Sequence, residues 1–182
     1  GTEERWKQAE AAMTLLEDHG FITIGLDHFA LENDPMAVAL KTGALHRNFQ
    51  GYTTDHAETL IGLGASSISS LPQGYTQNFP QINLYRRALD DGRLPTARGV
   101  ELSDDDRLRR AVIERLMCDL EIDLGDICGQ YGASASVLAK AGPKLEELAT
   151  DGLITLDGDH VTVTEDGRLL VRCVCAAFDA YL

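Results

Sequence analysis

The sequence predicts a mixed α/β chain, with a βα sheet or barrel over the first hundred residues and a mainly helical, winged-helix-like part after it. Two observations carry this. Helix-spaced segments and short apolar strand-like segments alternate as far as Leu89, and past Ser103 three helical stripes are followed by a hairpin signal. At 182 residues and 44% hydrophobic, the chain can bury one large domain or two small ones.

Taken in order, the first element is a helix. Trp6, Ala9, Met13 and Leu16 recur at helical spacing behind two glutamates, and His19-Gly20 supplies the stop. Phe21 to Gly25 reads as a short buried strand. Asp34 followed by Pro35 is an N-cap and first-turn pair, opening a helix that Gly43 closes. Leu45 to Thr54, reading Leu-His-Arg-Asn-Phe-Gln-Gly-Tyr-Thr-Thr, has neither helical nor strand periodicity. Buried, His46, Arg47 and Asn48 would each need a partner. The run is therefore expected to be a polar-aromatic loop of the kind that carries binding and catalytic groups. Thr59 to Ser70 looks like a buried strand, whose Gly62, Gly64 and Ala65 let something approach the backbone closely. Pro80 to Leu89 resumes helical spacing, and Asp91-Gly92 ends it.

Arg93 to Glu101 is read as the boundary, giving domains of 1–100 and 101–182. Ser103 caps an acid-rich first turn, and Leu108, Val112 and Leu116 form a helical stripe. Leu124, Ile127, Cys128 and Tyr131 make a second helix ending at Gly132, and Pro143 opens a third. Leu153–Leu156 and Val161–Val163 flank Asp157-Gly158-Asp159, a hairpin signal. An apolar last helix is expected from about Gly167 to Tyr181.

Charge narrows the function. The chain carries a net charge of −13, and Ser103 to Leu182 holds sixteen Asp/Glu against eight Lys/Arg. That sign repels a phosphate backbone, so the winged-helix-like part is not expected to bind nucleic acid. No apolar run approaches the roughly 20 residues of a membrane span. The first residues lack the order of a signal peptide, so a cytoplasmic protein is expected. Cys118, Cys128, Cys173 and Cys175 lack the C-x2-C spacing of zinc or redox sites. Cys173 and Cys175 sit in a Leu/Val/Ala-rich stretch and are expected to act as small hydrophobes, with no metal held by this chain.

The decapeptide Leu45–Thr54 closely resembles the signature loop of the oxygen-independent coproporphyrinogen III oxidases, radical S-adenosylmethionine enzymes of anaerobic haem synthesis. Gly25-Leu-Asp-His-Phe-Ala30 is similar to the family's strand end, and Leu60-Ile-Gly-Leu-Gly-Ala-Ser-Ser-Ile-Ser69 to its next strand. Asp151-Gly-Leu-Ile154, Gly167-Arg-Leu-Leu-Val-Arg172 and Phe178-Asp-Ala-Tyr-Leu182 resemble its C-terminal domain. The likeness is collinear over almost the whole chain. The family's C-x3-C-x2-C trio for a [4Fe–4S] cluster is absent. The chain thus looks like the end of a partial (β/α) radical-SAM barrel followed by the C-terminal domain, and alone it is expected to be inert.

The resemblance implies a parent enzyme that converts coproporphyrinogen III to protoporphyrinogen IX with S-adenosyl-L-methionine, the cluster and an electron donor such as a flavodoxin-type reductant. It places Phe49 and Gln50 at the catalytic pocket, with Gln50 and Ile68 against the cofactor. For Ile68 the plain alternative is a core residue. His46 and Arg47 are candidates for propionate carboxylates or for an internal salt bridge. Asp27 and His28, at a strand end facing the barrel mouth, are candidates for a polar wall or proton handling, or for a hydrogen bond that pins the loop. Tyr52, Thr53 and Thr54 are expected to orient the loop. Surfaces that met the missing strands are expected to let the fragment dimerise.

Two rivals remain. The sister haem chaperones carry an His-Asn-x-x-Tyr-Trp pattern where this chain has Asn48-Phe49-Gln50-Gly51-Tyr52, and Trp6 is its only tryptophan. A free-standing acidic winged-helix interaction module would require Ser103 to Leu182 to fold alone.

Overall fold

The computed structural model describes residues 1–182, the side chain of Thr2 excepted. The chain begins with α1 (Thr2–Asp18), β1 (Phe21–Ile24), β2 (His28–Leu31), α2 (Pro35–Lys41), β3 (His46–Asn48) and β4 (Gly51–Thr53). Next come β5 (Ile68–Leu71), β6 (Gly74–Asn78), α3 (Ile82–Asp90) and β7 (Thr96–Glu101). Then follow α4 (Asp104–Asp119), β8 (Glu121–Asp123), α5 (Leu124–Gln130) and a 3-10 turn over Ala135–Ala141. The chain closes with α6 (Gly142–Thr150), β9 (Ile154–Asp157), β10 (His160–Val163), α7 (Glu165–Arg168) and α8 (Val171–Ala176).

The helix signals act as read. Asp34 accepts the Met36 N–H at 2.8 Å to open α2. Ser103 and Asp106 cap each other reciprocally at the start of α4. The C-terminal part has the expected winged-helix-like order of three helices and a hairpin, with β8 added as a third strand in the order β8-β10-β9.

Among the described residues every strand pair is antiparallel, and as far as Glu101 the barrel-like rhythm is realised as two hairpins and one three-stranded sheet. The strand at Phe21 is only half of a hairpin. Its partner β2 follows after Gly25, Leu26 and Asp27, too short a connection for the crossover that a parallel pair needs.

Other expectations change. Leu45–Thr54 is not a loop but a hairpin, β3–β4. The stretch from Thr59 is mostly irregular: only Ile68–Leu71 is strand, while Ile61 and Leu63 are exposed. The glycines there serve the chain itself, since a Cβ on Gly62 would stand 2.7 Å from the Ile68 carbonyl. Residues Thr96–Glu101 form a strand paired with β6, where a boundary was expected. The last apolar run is two short helices, not one. Gly167, in the first of them, is packed against the Leu153 carbonyl, and Val171, Val174 and Phe178 are buried. Cys173 is exposed, unlike its three buried counterparts.

Two compact units result: Gly1–Thr54 with Leu108–Leu182, and Asp55–Arg107. These units group residues in space, whereas 1–100 and 101–182 divide the chain along its sequence. Ile24, Leu45 and Tyr52 lie in one buried apolar cluster with Leu116, Val161 and Phe178. The second unit is built on the antiparallel sheet β5-β6-β7.

Candidate functional site

The hairpin β3–β4 pairs His46 with Thr53, Arg47 with Tyr52 and Asn48 with Gly51, leaving Phe49 and Gln50 as a two-residue turn. No turn signal occupies those two positions. The turn is made by its flanks instead. Asn48 Oδ1 accepts the Gln50 N–H at 2.8 Å, and Gly51 adopts φ +134. Both turn residues are exposed, Phe49 by 53%. A large apolar ring held outward on a hairpin tip is poorly placed for this unit's own core.

Tyr52 pins the hairpin from below. Its ring is 6% exposed, and its hydroxyl accepts the Leu26 N–H at 2.9 Å and donates to the Met117 carbonyl at 2.9 Å. Burial raises the pKa of that phenol, so it remains a donor. The β1–β2 turn fits around the ring: Gly25, at φ +56, lies so close that a Cβ would enter the Tyr52 ring. His28 meets the same ring edge-on, with centroids 5.1 Å apart. Its Nδ1 stands 2.9 Å from Asp27 Oδ1, and both side chains remain largely exposed. Asp27 and His28 therefore flank the hairpin as a polar pair.

Helix α4 supplies the other clamp. Glu114 Oε1 lies 2.9 Å from His46 Nδ1 and accepts the Arg47 backbone N–H at 3.3 Å. Arg115 donates to the Leu45 carbonyl at 2.6 Å and to Asp119 at 2.9 Å. His46 thus meets a carboxylate supplied by the chain itself. Arg47 lies over Tyr52 with its guanidinium carbon 5.5 Å from the ring centre. No local pattern marks Glu114 or Arg115, because each acts across about seventy residues.

Ile68 belongs to the second unit. It pairs with Gln77 in the β5–β6 register and lines a shallow groove of about 300 Å³ with Tyr75, Arg98 and Val100. The first unit also has a cleft of about 510 Å³, lined by charged groups including Lys41, Asp119, Glu121 and His160. No residue of the hairpin lines it.

Burial pushes the Cys118 and Cys175 thiols up to about 12, and raises Cys128 as well. Among the described residues no group of three His, Cys, Asp or Glu converges as metal ligands.

Comparison with known proteins shows what this chain is similar to. The model of the HemN C-terminal domain matches residues 102–170. The oxygen-independent coproporphyrinogen III oxidase of Bradyrhizobium diazoefficiens is 52% identical over 178 residues, 98% of this chain and 40% of that protein. This chain matches the C-terminal portion of the oxygen-independent coproporphyrinogen III oxidases. The corresponding oxidase of Pseudomonas aeruginosa is 48% identical over 90% of the chain and 36% of its own length. A solved coproporphyrinogen III oxidase from Escherichia coli, a radical SAM enzyme, superposes with a TM-score of 0.89 at 40% identity, over 95% of this chain and 40% of that one. The chain thus spans about 40% of the length of these oxidases.

Proposed function

We propose that this chain forms part of the substrate and cofactor pocket of an oxygen-independent coproporphyrinogen III oxidase, acting in porphyrin synthesis on coproporphyrinogen III. The observation that carries this reading is the hairpin tip: Phe49 and Gln50 are held outward while Tyr52, Glu114 and Arg115 fix the strands behind them. The radical chemistry of such an enzyme comes from S-adenosylmethionine and a [4Fe–4S] cluster, whose thiolate ligands this chain does not supply.

In this reading Phe49 packs on a flat adenine or pyrrole face, and Gln50 offers both an amide donor and an acceptor to the cofactor. Ile68, on β5, offers a β-branched wall without a polar group. Asp27 and His28 border the site as a polar wall. His46 anchors the hairpin through Glu114. Fixing the strands before the ligand arrives lowers the entropy cost of holding a substrate against the cofactor.

The reading extends to the surroundings. The family match beginning at residue 102 supports 101–182 as the oxidase's C-terminal domain, with 1–100 continuing its barrel. Net acidity speaks against a nucleic-acid partner. Among the described residues no helix is long and apolar enough to cross a membrane, in keeping with a cytoplasmic enzyme fed by a flavodoxin-type donor. Exposed Ile61, Leu63 and Leu94 on the second unit favour self-association of the chain by itself. The acidic interaction module is disfavoured, since Ile24, Leu45 and Tyr52 share a core with the C-terminal helices.

The longer protein carrying this chain, supplied anaerobically with S-adenosylmethionine, a reductant and coproporphyrinogen III, is expected to release carbon dioxide. The chain alone is expected to release none. Stoichiometric haem binding by the longer protein, with no decarboxylation, would instead assign it to the chaperones.

A further inference from the structure

Two basic residues stand side by side at the start of β3, and the fold treats them differently. His46 is engaged by Glu114 at 2.9 Å. Arg47 gives Glu114 only its backbone N–H. Among the described residues no carboxylate lies within ion-pair distance of the Arg47 guanidinium, and its Nε is buried without a hydrogen-bond partner. Residues paired directly across a hairpin share a face, so Arg47 lies with Tyr52 while His46 faces the other way. The groups that sense its charge are the Tyr52 phenol and the thiols of Cys118 and Cys175, all of which burial keeps neutral.

A half-buried guanidinium with no carboxylate within ion-pair distance and an unpartnered Nε is out of balance. Removing a guanidinium from water costs several hydrogen bonds, and one aromatic face returns only part of that. A buried donor without a partner calls for an explanation, and an absent anion is one. The planar fork of Arg matches a carboxylate through two parallel N–H···O bonds. Arg47 keeps some exposure, which leaves a way in, and the turn it leads into carries Phe49 and Gln50.

We infer that Arg47 is a carboxylate-binding residue whose natural counter-ion is a carboxylate of the bound ligand, and that His46 has no such role. This rests on the pocket reading above and deepens it. A carboxylate could come from a propionate arm of the tetrapyrrole or from the amino-acid end of S-adenosylmethionine. Either places the same chemistry at the same fork.

The test uses this chain with four probes: coproporphyrin III, its tetramethyl ester, S-adenosylmethionine and decarboxylated S-adenosylmethionine. Arg47→Met should weaken one of the two acids by about ten- to a hundredfold. His46→Gln should change it less than about threefold. Loss confined to coproporphyrin III assigns the propionate, and loss confined to S-adenosylmethionine assigns the amino-acid end. The ester and the decarboxylated cofactor should not distinguish Arg47→Met from the unsubstituted chain. Thermal unfolding supplies a readout that a structural arginine would move the other way: without ligand, Arg47→Met should melt at the same temperature or higher.

A lower melting point for Arg47→Met with unchanged binding of both acids would overturn the inference. So would failure of the unsubstituted chain to bind either acid. Carbon dioxide release by the longer protein judges the pocket reading separately, and release that survives Arg47→Met sinks only the carboxylate subsite.

Discussion

Two of the hairpins that turn on two residues, β9–β10 and β3–β4, are built in opposite ways. In β9–β10 the turn is Gly158-Asp159, between paired Asp157 and His160, and Gly158 takes φ +60 with open space around it. That turn is specified locally. In β3–β4 the turn is Phe49-Gln50, and neither residue favours one. It is held by Asn48, Gly51, a buried tyrosine, and two side chains of α4. A hairpin whose tip contradicts turn chemistry, and whose strands are clamped from a distance, has its tip residues fixed for another purpose.

The sharpest way to break this contrast is Gly25→Ala. A methyl group there enters the Tyr52 ring at a positive φ, and the expected loss is roughly 3 kcal/mol or more in a urea titration. Tyr52→Phe keeps the ring but strands the Leu26 N–H and the Met117 carbonyl, for a loss of about 2–3 kcal/mol.

Alkali probes the floor beneath the first hairpin. Cys118 and Cys175 are held at about 12 in the folded chain, so they stay protonated where unfolded thiols ionise. Raised folded values make this contribution complete below the ordinary thiol range and progressively lost as pH climbs toward 12. Urea midpoints should fall between about pH 8 and pH 10.5 by an amount on the order of 1–2 kcal/mol, and Cys118→Val should flatten that slope. Gly158→Ala, in the locally built hairpin, should cost about 1 kcal/mol, since a Cβ there meets nothing and only backbone strain counts.

The contrast also marks what was legible in the sequence. Turns and caps with local chemistry could be read: Asp34-Pro35, Ser103 with Asp106, and Asp157-Gly158. The importance of Leu45–Thr54 was legible from its composition, and its family from its order. Its shape was not, because the partners that make it a hairpin are the Met117 carbonyl and the side chains of Glu114 and Arg115. The strand at Thr96–Glu101 was hidden for a related reason. All six residues are exposed, so burial imposed no alternation to read. Arg109 likewise donates to the Phe178 carbonyl at 3.0 Å, a partner too far along the chain for any local pattern to mark.

Phe49→Ala separates holding the hairpin from using it. In this chain the unfolding midpoint should move by less than about 0.5 kcal/mol, because the ring is 53% exposed. In the longer protein the same change should cut carbon dioxide release from coproporphyrinogen III by at least about tenfold. Unchanged release, or a stability loss large enough to account for the drop, would contradict the account.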